Sequence, residues 1–135
     1  MTLVDTNVLL DILSDDPRWS AWSVRLLAER SALGPVAIND AIYAELSARM
    51  DDQAQLDHVL GDLAVSFERV PMRALFLAGQ SYRRYRSSGG IRTGVLPDFF
   101  IGAHAHAVGC PILTRDVRRY RTYFPGVELI TPEVR

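Results

Sequence analysis

Short apolar runs alternate along this chain with longer segments in which apolar residues recur at helical spacing. The short runs predict strands at residues 2–4, 36–38, 65–70, 110–113 and 127–130. The segments between them predict helices at residues 8–13, 17–30, 40–49, 51–63, 71–86 and 97–108, with a short helix after residue 116. Apolar strands separated by helices are typical of a mostly parallel central sheet flanked by helices on both faces. The predicted fold class is therefore α/β.

Local signals mark where several of these elements begin and end. Asp5 and Asn39 are suited to cap the helices that follow them, and Asp16 precedes a proline at the expected first position of a helix. Residues 87–94, rich in Ser and Gly, form the one conspicuously flexible loop. Because no stretch resembles a linker, the length of 135 residues predicts one domain over residues 1–135.

Composition excludes several classes of protein. With 48% hydrophobic residues, 9 Gly and 7 Pro, the chain is neither collagen-like, nor a coiled coil, nor disordered. Its single cysteine, Cys110, cannot close an intrachain disulfide or build a thiolate zinc site. No apolar run approaches the roughly 18 residues of a membrane span, and the N-terminus lacks the pattern of a signal peptide. We therefore expect a cytoplasmic protein without a membrane partner.

The charges are segregated along the chain, although they nearly cancel to a net −1. Residues 1–68 carry 12 acids and 4 arginines, a net −8, whereas residues 69–135 carry 4 acids and 11 arginines, a net +7. Arginine forms two parallel hydrogen bonds with phosphate oxygens, so a basic half is consistent with a polyanionic partner. A compositional bias of the source explains the absence of lysine equally well.

Acidic residues lie where a parallel sheet has its functional crevice, beyond the carboxyl ends of its strands. Asp5 directly follows the first strand, Asp116 follows the strand at 110–113, and Asp98 lies in the first turn of the helix that leads into that strand. Glu45 lies in a helix on its apolar face. Each acid alone also has a structural explanation, since the aspartates suit helix caps or first turns and Glu45 suits the rim of an apolar face.

Taken together, the four acids favour a metal site. Converging carboxylates repel one another by several kcal/mol, so such a cluster persists when cations lie within it. Oxygen ligands without nearby Cys or His favour Mg²⁺ or Mn²⁺ over zinc. Divalent metals held by carboxylates activate water and neutralise a phosphoryl group during in-line displacement. The residues alone therefore predict a metal-dependent nuclease, with arginines of the second half holding the nucleic-acid backbone.

Four blocks, each containing one of these acids, follow in order along the chain. They are VDTNVLLD at 4–11, IYAEL at 42–46, LPDFFIGAHA at 96–105 and ILTRD at 112–116. In order, spacing and local context they resemble the PIN-domain ribonucleases, and more narrowly the VapC toxins of bacterial toxin–antitoxin pairs. The resemblance covers essentially the whole chain.

The resemblance implies a role for each matching position. The active site would comprise four acids that bind one or two Mg²⁺ or Mn²⁺ ions, namely Asp5, Glu45, Asp98 and Asp116. Asp5 and Asp98 would be the most direct ligands. The reaction implied is endonucleolytic cleavage of RNA by metal-activated water, without a covalent intermediate. Thr6, Asn7 and Thr114 are predicted to hold the carboxylates by hydrogen bonds, although capping and turn chemistry explains these residues equally well.

The resemblance also implies partners, namely a second copy in a homodimer and a cognate antitoxin whose C-terminal segment lies in an apolar groove near the active site. Trp19 and Trp22 are candidates to line that groove or the dimer interface, and ordinary core packing is the alternative. The arginines expected to contact the RNA substrate are Arg92, Arg115, Arg118 and Arg119. A solvated helix face also explains the arginines that follow Asp116.

Two alternative functions are compatible with the same fold. One is a PIN-fold nuclease that processes RNA and is not regulated as a toxin; a small antitoxin gene immediately upstream would distinguish the two. The other is a non-catalytic module that binds RNA or protein, whose usual mark is the loss of a carboxylate, and here all four are present. An aspartyl phosphotransferase is disfavoured because Asn7 stands where a second acid is commonly needed.

Overall fold

Five parallel strands form one sheet with the first strand at its centre. The computed structural model describes residues 1–92 and 94–132, so Thr93, within the predicted loop 87–94, and residues 133–135 lie outside the described part. The strands are β1 (Thr2–Val4), β2 (Val36–Ile38), β3 (Val65–Phe67), β4 (Ile112–Leu113) and β5 (Leu129–Ile130). Their order is β3-β2-β1-β4-β5, and every neighbouring pair is parallel. The predicted α/β class is confirmed.

Helices cover the sheet. In the described part of the chain they are α1 (Thr6–Leu13), α2 (Ser20–Leu33), α3 (Asp40–Ser47), α4 (Gln53–Asp62), α5 (Met72–Ser87), α6 (Leu96–Val108) and α7 (Arg118–Tyr123). Every residue of β1 and β2 is buried, as expected for strands with both faces covered. Within residues 1–92 and 94–132, no helix has the length and apolar character needed to cross a membrane.

Two of the predicted helix caps form as expected, and one helix begins later than predicted. The Asp5 carboxylate accepts a hydrogen bond from the first residue of α1, and Asn39 Oδ1 accepts one from the backbone of α3. Helix α2 begins three residues after the predicted start. Asp16 Oδ1 accepts from the backbone N–H groups of Arg18 and Trp19, so residues 17–19 form a separate turn in front of the helix.

Three strands are shorter than predicted, and in each the reason lies in the hydrogen bonding of the backbone at the end that is lost. Strand β3 ends three residues early, where the Val70 N–H donates to the Asp40 side chain instead of to a neighbouring strand. Strand β4 begins two residues late, after Pro111, which has no N–H to donate. Strand β5 also begins two residues late, because the Val127 N–H donates to the carbonyl of Phe124.

An aromatic cluster fixes the start of α6. The ring of Phe99 lies 5.6 Å from that of Tyr85 on α5 and 5.2 Å from that of Tyr123 on α7, measured between centroids. Tyr85 and Tyr123 also pack edge-to-face against each other. Because Phe99 is completely buried and adjoins Asp98, this packing sets the position of that acid.

Candidate active site

Four separate elements bring the predicted acids to one edge of the sheet. Strands β1 and β4 are neighbours in parallel register, so Asp5 and Asp116 follow strands that end side by side. Asp98 lies in the first turn of α6, and Glu45 lies on α3. The charge of Asp98 contributes to raising the pKa of Asp5 and that of Glu45, and the charge of Asp116 contributes to raising the pKa of Asp98. We call these four residues the acidic cluster; Asp98 is the member that these effects link to each of the other three.

Asp5 is a buried carboxylate whose oxygens are held from several sides. Its Oδ1 accepts from the Thr6 N–H at 2.8 Å, and its Oδ2 accepts from the hydroxyls of Thr114 at 2.8 Å and Tyr120 at 2.9 Å. Burial raises the pKa of Asp5 to about 6, although the hydrogen bonds from Thr114 and Tyr120 oppose the shift. The orientation of the Asp5 carboxylate is therefore fixed, and its ionisation is unfavourable. A nearby cation would stabilise its charged form.

Tyr120 also contacts the acidic cluster, although it lies outside the four sequence blocks that contain the acids. Its phenol donates to Asp5, and its side chain is almost completely buried. Burial and the charges of the acids raise the pKa of Tyr120 well above its usual value, so the phenol stays neutral and remains a donor. The sequence does contain a signal for the burial of Tyr120. It is the single aromatic residue in the arginine-rich segment 118–121, and this pattern predicts an inward-facing side chain.

The three predicted supporting residues all contact the acidic cluster or its loops. Thr6 Oγ1 donates to Glu45 Oε1 at 2.8 Å, which ties α1 to α3. Asn7 Nδ2 donates to Asp5 Oδ2 at 3.3 Å, and Asn7 Oδ1 accepts from the Arg115 N–H at 3.1 Å. Thr114 Oγ1 accepts from the N–H of Asp116 at 3.0 Å while it donates to Asp5. These bonds connect the end of β1 with the loop after β4.

Asp98 is paired with a cation from its own chain. Arg119 Nε donates to Asp98 Oδ2 at 2.7 Å, and the two side chains are only 18% and 29% exposed, respectively. Burial raises the pKa of Asp98, and Arg119 opposes that shift without cancelling it. The guanidinium predicted to contact RNA is thus bound to an acid of the cluster in this arrangement.

The other three arginines predicted to contact RNA have different environments. Arg115 forms two hydrogen bonds with the buried Asp11, from Nε at 2.6 Å and Nη2 at 2.8 Å. Because this pair uses the guanidinium fork, the geometry favours a role for Arg115 in positioning the loop after β4 over an RNA contact. Arg118 is exposed and lies 3.5 Å from an oxygen of Asp116. Arg92 is also exposed, in the loop after α5.

The two tryptophans lie half-buried on and beside α2. Their rings pack edge-to-face with centroids 6.2 Å apart, and Trp22 also packs against the core. The guanidinium carbon of Arg115 lies 4.8 Å from the ring centroid of Trp19, which connects this aromatic pair to the loop that carries Asp116. The arrangement combines core packing with a partly exposed aromatic surface near the site.

The donor chemistry of the acidic cluster fits a hard divalent cation. Its ligands are carboxylate oxygens that repel one another, and Mg²⁺ and Mn²⁺ prefer such ligands. Yet within residues 1–92 and 94–132 no three His, Cys, Asp or Glu side chains are already arranged to hold a metal ion. In this arrangement Asp98 is paired with Arg119.

Comparison with known proteins gives the same fold. The chain has a TM-score of 0.70 and 19% identity to a chain of VapBC2 from Rickettsia felis bound to a promoter DNA fragment, and the match covers 98% of both chains. The corresponding values for a chain of VapBC-1 from nontypeable Haemophilus influenzae are 0.71, 16% and 96% of both chains. For a chain of a toxin–antitoxin complex from Klebsiella pneumoniae they are 0.65, 20% and 98% of both chains.

Sequence comparison identifies the family. No curated protein matches the chain. A family model of the PIN domain, however, matches residues 2–125, which include all four members of the acidic cluster. Since the match extends over nearly the whole chain, the protein belongs to the PIN domain family.

Proposed function

We propose that this protein is a Mg²⁺- or Mn²⁺-dependent endoribonuclease and acts as the VapC-type toxin of a toxin–antitoxin pair. The observation that carries the proposal is the acidic cluster, in which four elements supply carboxylates that act electrostatically on one another. Like charges gathered in a partly buried site raise its energy, and a structural role alone does not require them.

Each acid has a proposed role. Asp5 and Asp98 would hold the ion most directly, and Glu45 and Asp116 would complete the site. When bound, the ion supplies activation of water and neutralisation of the phosphoryl charge. The chain supplies orientation, because the hydroxyls of Thr114 and Tyr120 fix Asp5 and the hydroxyl of Thr6 fixes Glu45.

RNA is the proposed substrate, on the basis of the resemblance and of the basic second half of the chain. Arg92 and Arg118 are exposed and suited to bind backbone phosphates, and Arg118 lies 3.5 Å from Asp116 of the cluster. No feature of the chain provides a code for reading bases, so we propose a backbone contact and not a sequence preference.

The proposed regulation is inhibition by a cognate antitoxin. Its support is the likeness to chains from the VapBC structures and from the Klebsiella pneumoniae complex. The half-buried pair Trp19 and Trp22 is a candidate surface for the antitoxin segment. Coexpression with the product of an adjacent small gene is expected to give a stable complex whose RNA cleavage is suppressed; cleavage that persists in such a complex would favour an RNA-processing nuclease.

A homodimer and a cytoplasmic location complete the proposal. On α5, the side chains of Met72 and Phe76 are 83% and 71% exposed, which favours their burial against a second copy. Light scattering on the purified chain is expected to give twice its mass of 15.1 kDa, and a monomeric mass would contradict this part of the proposal.

The nuclease activity is tested with total cellular RNA and with a DNA control, each incubated with the antitoxin-free chain in Mg²⁺, in Mn²⁺ and in EDTA. We expect discrete RNA fragments with either metal, none in EDTA, and intact DNA. Folded, antitoxin-free protein that leaves cellular RNA uncut with both metals would favour the alternative function, a non-catalytic module that binds RNA or protein.

A further inference from the structure

We propose that Arg119 is an internal counter-cation of the acidic cluster, which a divalent metal ion must displace from Asp98 in order to bind. The inference rests on the proposed function, because it concerns the ion which that function requires. It assigns Arg119 as a positioning residue that controls how tightly the metal binds.

The pair is built into the fold and is not a chance surface contact. Arg119 Nε lies 2.7 Å from Asp98 Oδ2, and both side chains are mostly buried. The two residues belong to helices α7 and α6, which are joined by the aromatic contact between Tyr123 and Phe99. An ion pair held by packed helices loses little side-chain entropy on forming, so it is stronger than a pair between two mobile surface chains.

The guanidinium and a divalent ion compete for the same carboxylate, because Arg119 holds Asp98 Oδ2. Mg²⁺ approaches its oxygen ligands to about 2.1 Å, and a second cation bound to the same carboxylate would repel it strongly in a partly buried site. Metal binding therefore includes the cost of separating Arg119 from Asp98.

Arg118 provides a matched control on the same helix. It also lowers the pKa of Asp98 through its charge, but it does not donate a hydrogen bond to that carboxylate. Its side chain is 73% exposed and lies 3.5 Å from Asp116. Removal of the Arg118 charge thus reports the general effect of one cation less near the cluster, whereas removal of Arg119 also eliminates the direct competitor.

The test is a calorimetric titration of the metal-free full chain with Mn²⁺ at pH 7.5, without RNA. We expect Arg119→Gln to lower the Kd for Mn²⁺ by about tenfold, the factor that corresponds to a pair worth about 1.4 kcal/mol. Arg118→Gln is expected to change the Kd by less than about twofold, as exposed pairs usually do.

The outcomes separate this inference from the proposed function. If the native chain binds Mn²⁺ and cleaves RNA but Arg119→Gln binds Mn²⁺ no more tightly than Arg118→Gln, the proposed role of Arg119 is wrong. The proposed nuclease activity is then unaffected. If the native chain binds no Mn²⁺, the metal-dependent function fails and the inference with it. Should Arg119→Gln fail to fold, Arg119→Lys, which lacks the planar fork, is expected to bind Mn²⁺ more tightly than the native chain; equal affinity would overturn the inference.

Discussion

The phenol of Tyr120 donates a hydrogen bond to Asp5 Oδ2 at 2.9 Å, and both side chains are buried. The bond connects α7 with the end of β1, across 115 positions of sequence. The most deeply buried acid of the cluster thus has a hydrogen-bond donor that carries no charge. This donor does not compete electrostatically with a metal ion.

Tyr120→Phe tests this bond directly. The variant keeps the ring and removes the donor, so we expect a loss of about 1–2 kcal/mol in unfolding free energy at pH 7.5. Because the Asp5 carboxylate is then held less firmly, RNA cleavage is also expected to fall. Urea denaturation and a cleavage assay measure the two effects, with Tyr82→Phe, a partly buried ring on α5, as the control. A Tyr120→Phe variant with native stability and native activity would show that the bond has no role.

The pKa of Asp5 predicts how the stability of the metal-free protein depends on pH. The folded state raises this pKa from its ordinary value of about 4 to about 6, so the folded protein binds more protons than the unfolded chain between these values. The contribution of Asp5 is therefore fully present below pH 4 and is lost as the pH rises through 6, by about 3 kcal/mol in total. We expect Asp5→Asn to stabilise the metal-free protein more at pH 7.5 than at pH 4.5, as measured by urea denaturation in EDTA. An equal effect at both pH values would contradict the raised pKa.

The buried pair of Asp11 and Arg115 is predicted to support the loop that carries Asp116. Asp11 is 4% exposed and also accepts a hydrogen bond from Ser23, so removal of Arg115 leaves a buried carboxylate without its cation. We expect Arg115→Gln to cost about 2 kcal/mol, less than the 3–5 kcal/mol typical of a fully buried pair, because Arg115 keeps 25% exposure. The double variant with Asp11→Asn should lose less than the sum of the single losses. Additive losses in denaturation experiments would show that the two side chains do not interact.

Gly102 is predicted to be essential for the packing of α6 against the end of α7. A Cβ atom at this position would overlap the ring of Phe124, which is almost fully buried. Gly102→Ala is therefore expected to destabilise the protein by about 1–3 kcal/mol. Gly79→Ala is the matched control, since Gly79 lies in α5 with open space around its Cα, and the substitution should stabilise by about 0.5–1 kcal/mol. Thermal unfolding measures both, and a neutral Gly102→Ala would contradict the close packing.

The parts of the fold that follow local rules could be predicted from the sequence. The alternation of apolar runs and helical segments predicted the parallel sheet, and Asp5 and Asn39 cap helices as their residue types indicate. The C-terminal end of β3 and the start of α2 could not be predicted in the same way. They depend on the side chains of Asp40 and Asp16, which bind backbone groups that the periodicity assigned to a strand and a helix.

The candidate site also has features that the local sequence predicts and features that it does not. Each acid occurs in a recognisable local block, and the topology of a parallel sheet explains why Asp5 and Asp116 end at the same edge. The partners of those acids come from distant positions. The contact of Tyr120 with Asp5, of Arg119 with Asp98 and of Arg115 with Asp11 depends on how α7 and its preceding loop pack, and no local pattern encodes that packing.

The central claim is that the acidic cluster cleaves RNA, and the most direct measurement is the cleavage rate in Mg²⁺ of the native chain, Asp98→Asn and Asp62→Asn. Asp62 is an exposed acid on α4, outside the cluster, that pairs with His58, so its variant controls for the loss of one negative charge. We predict that Asp98→Asn stays folded and cleaves at least about tenfold more slowly, the usual loss when a metal site is disturbed, while Asp62→Asn keeps the native rate. Equal rates for all three folded proteins would contradict the assignment of the cluster as the active site.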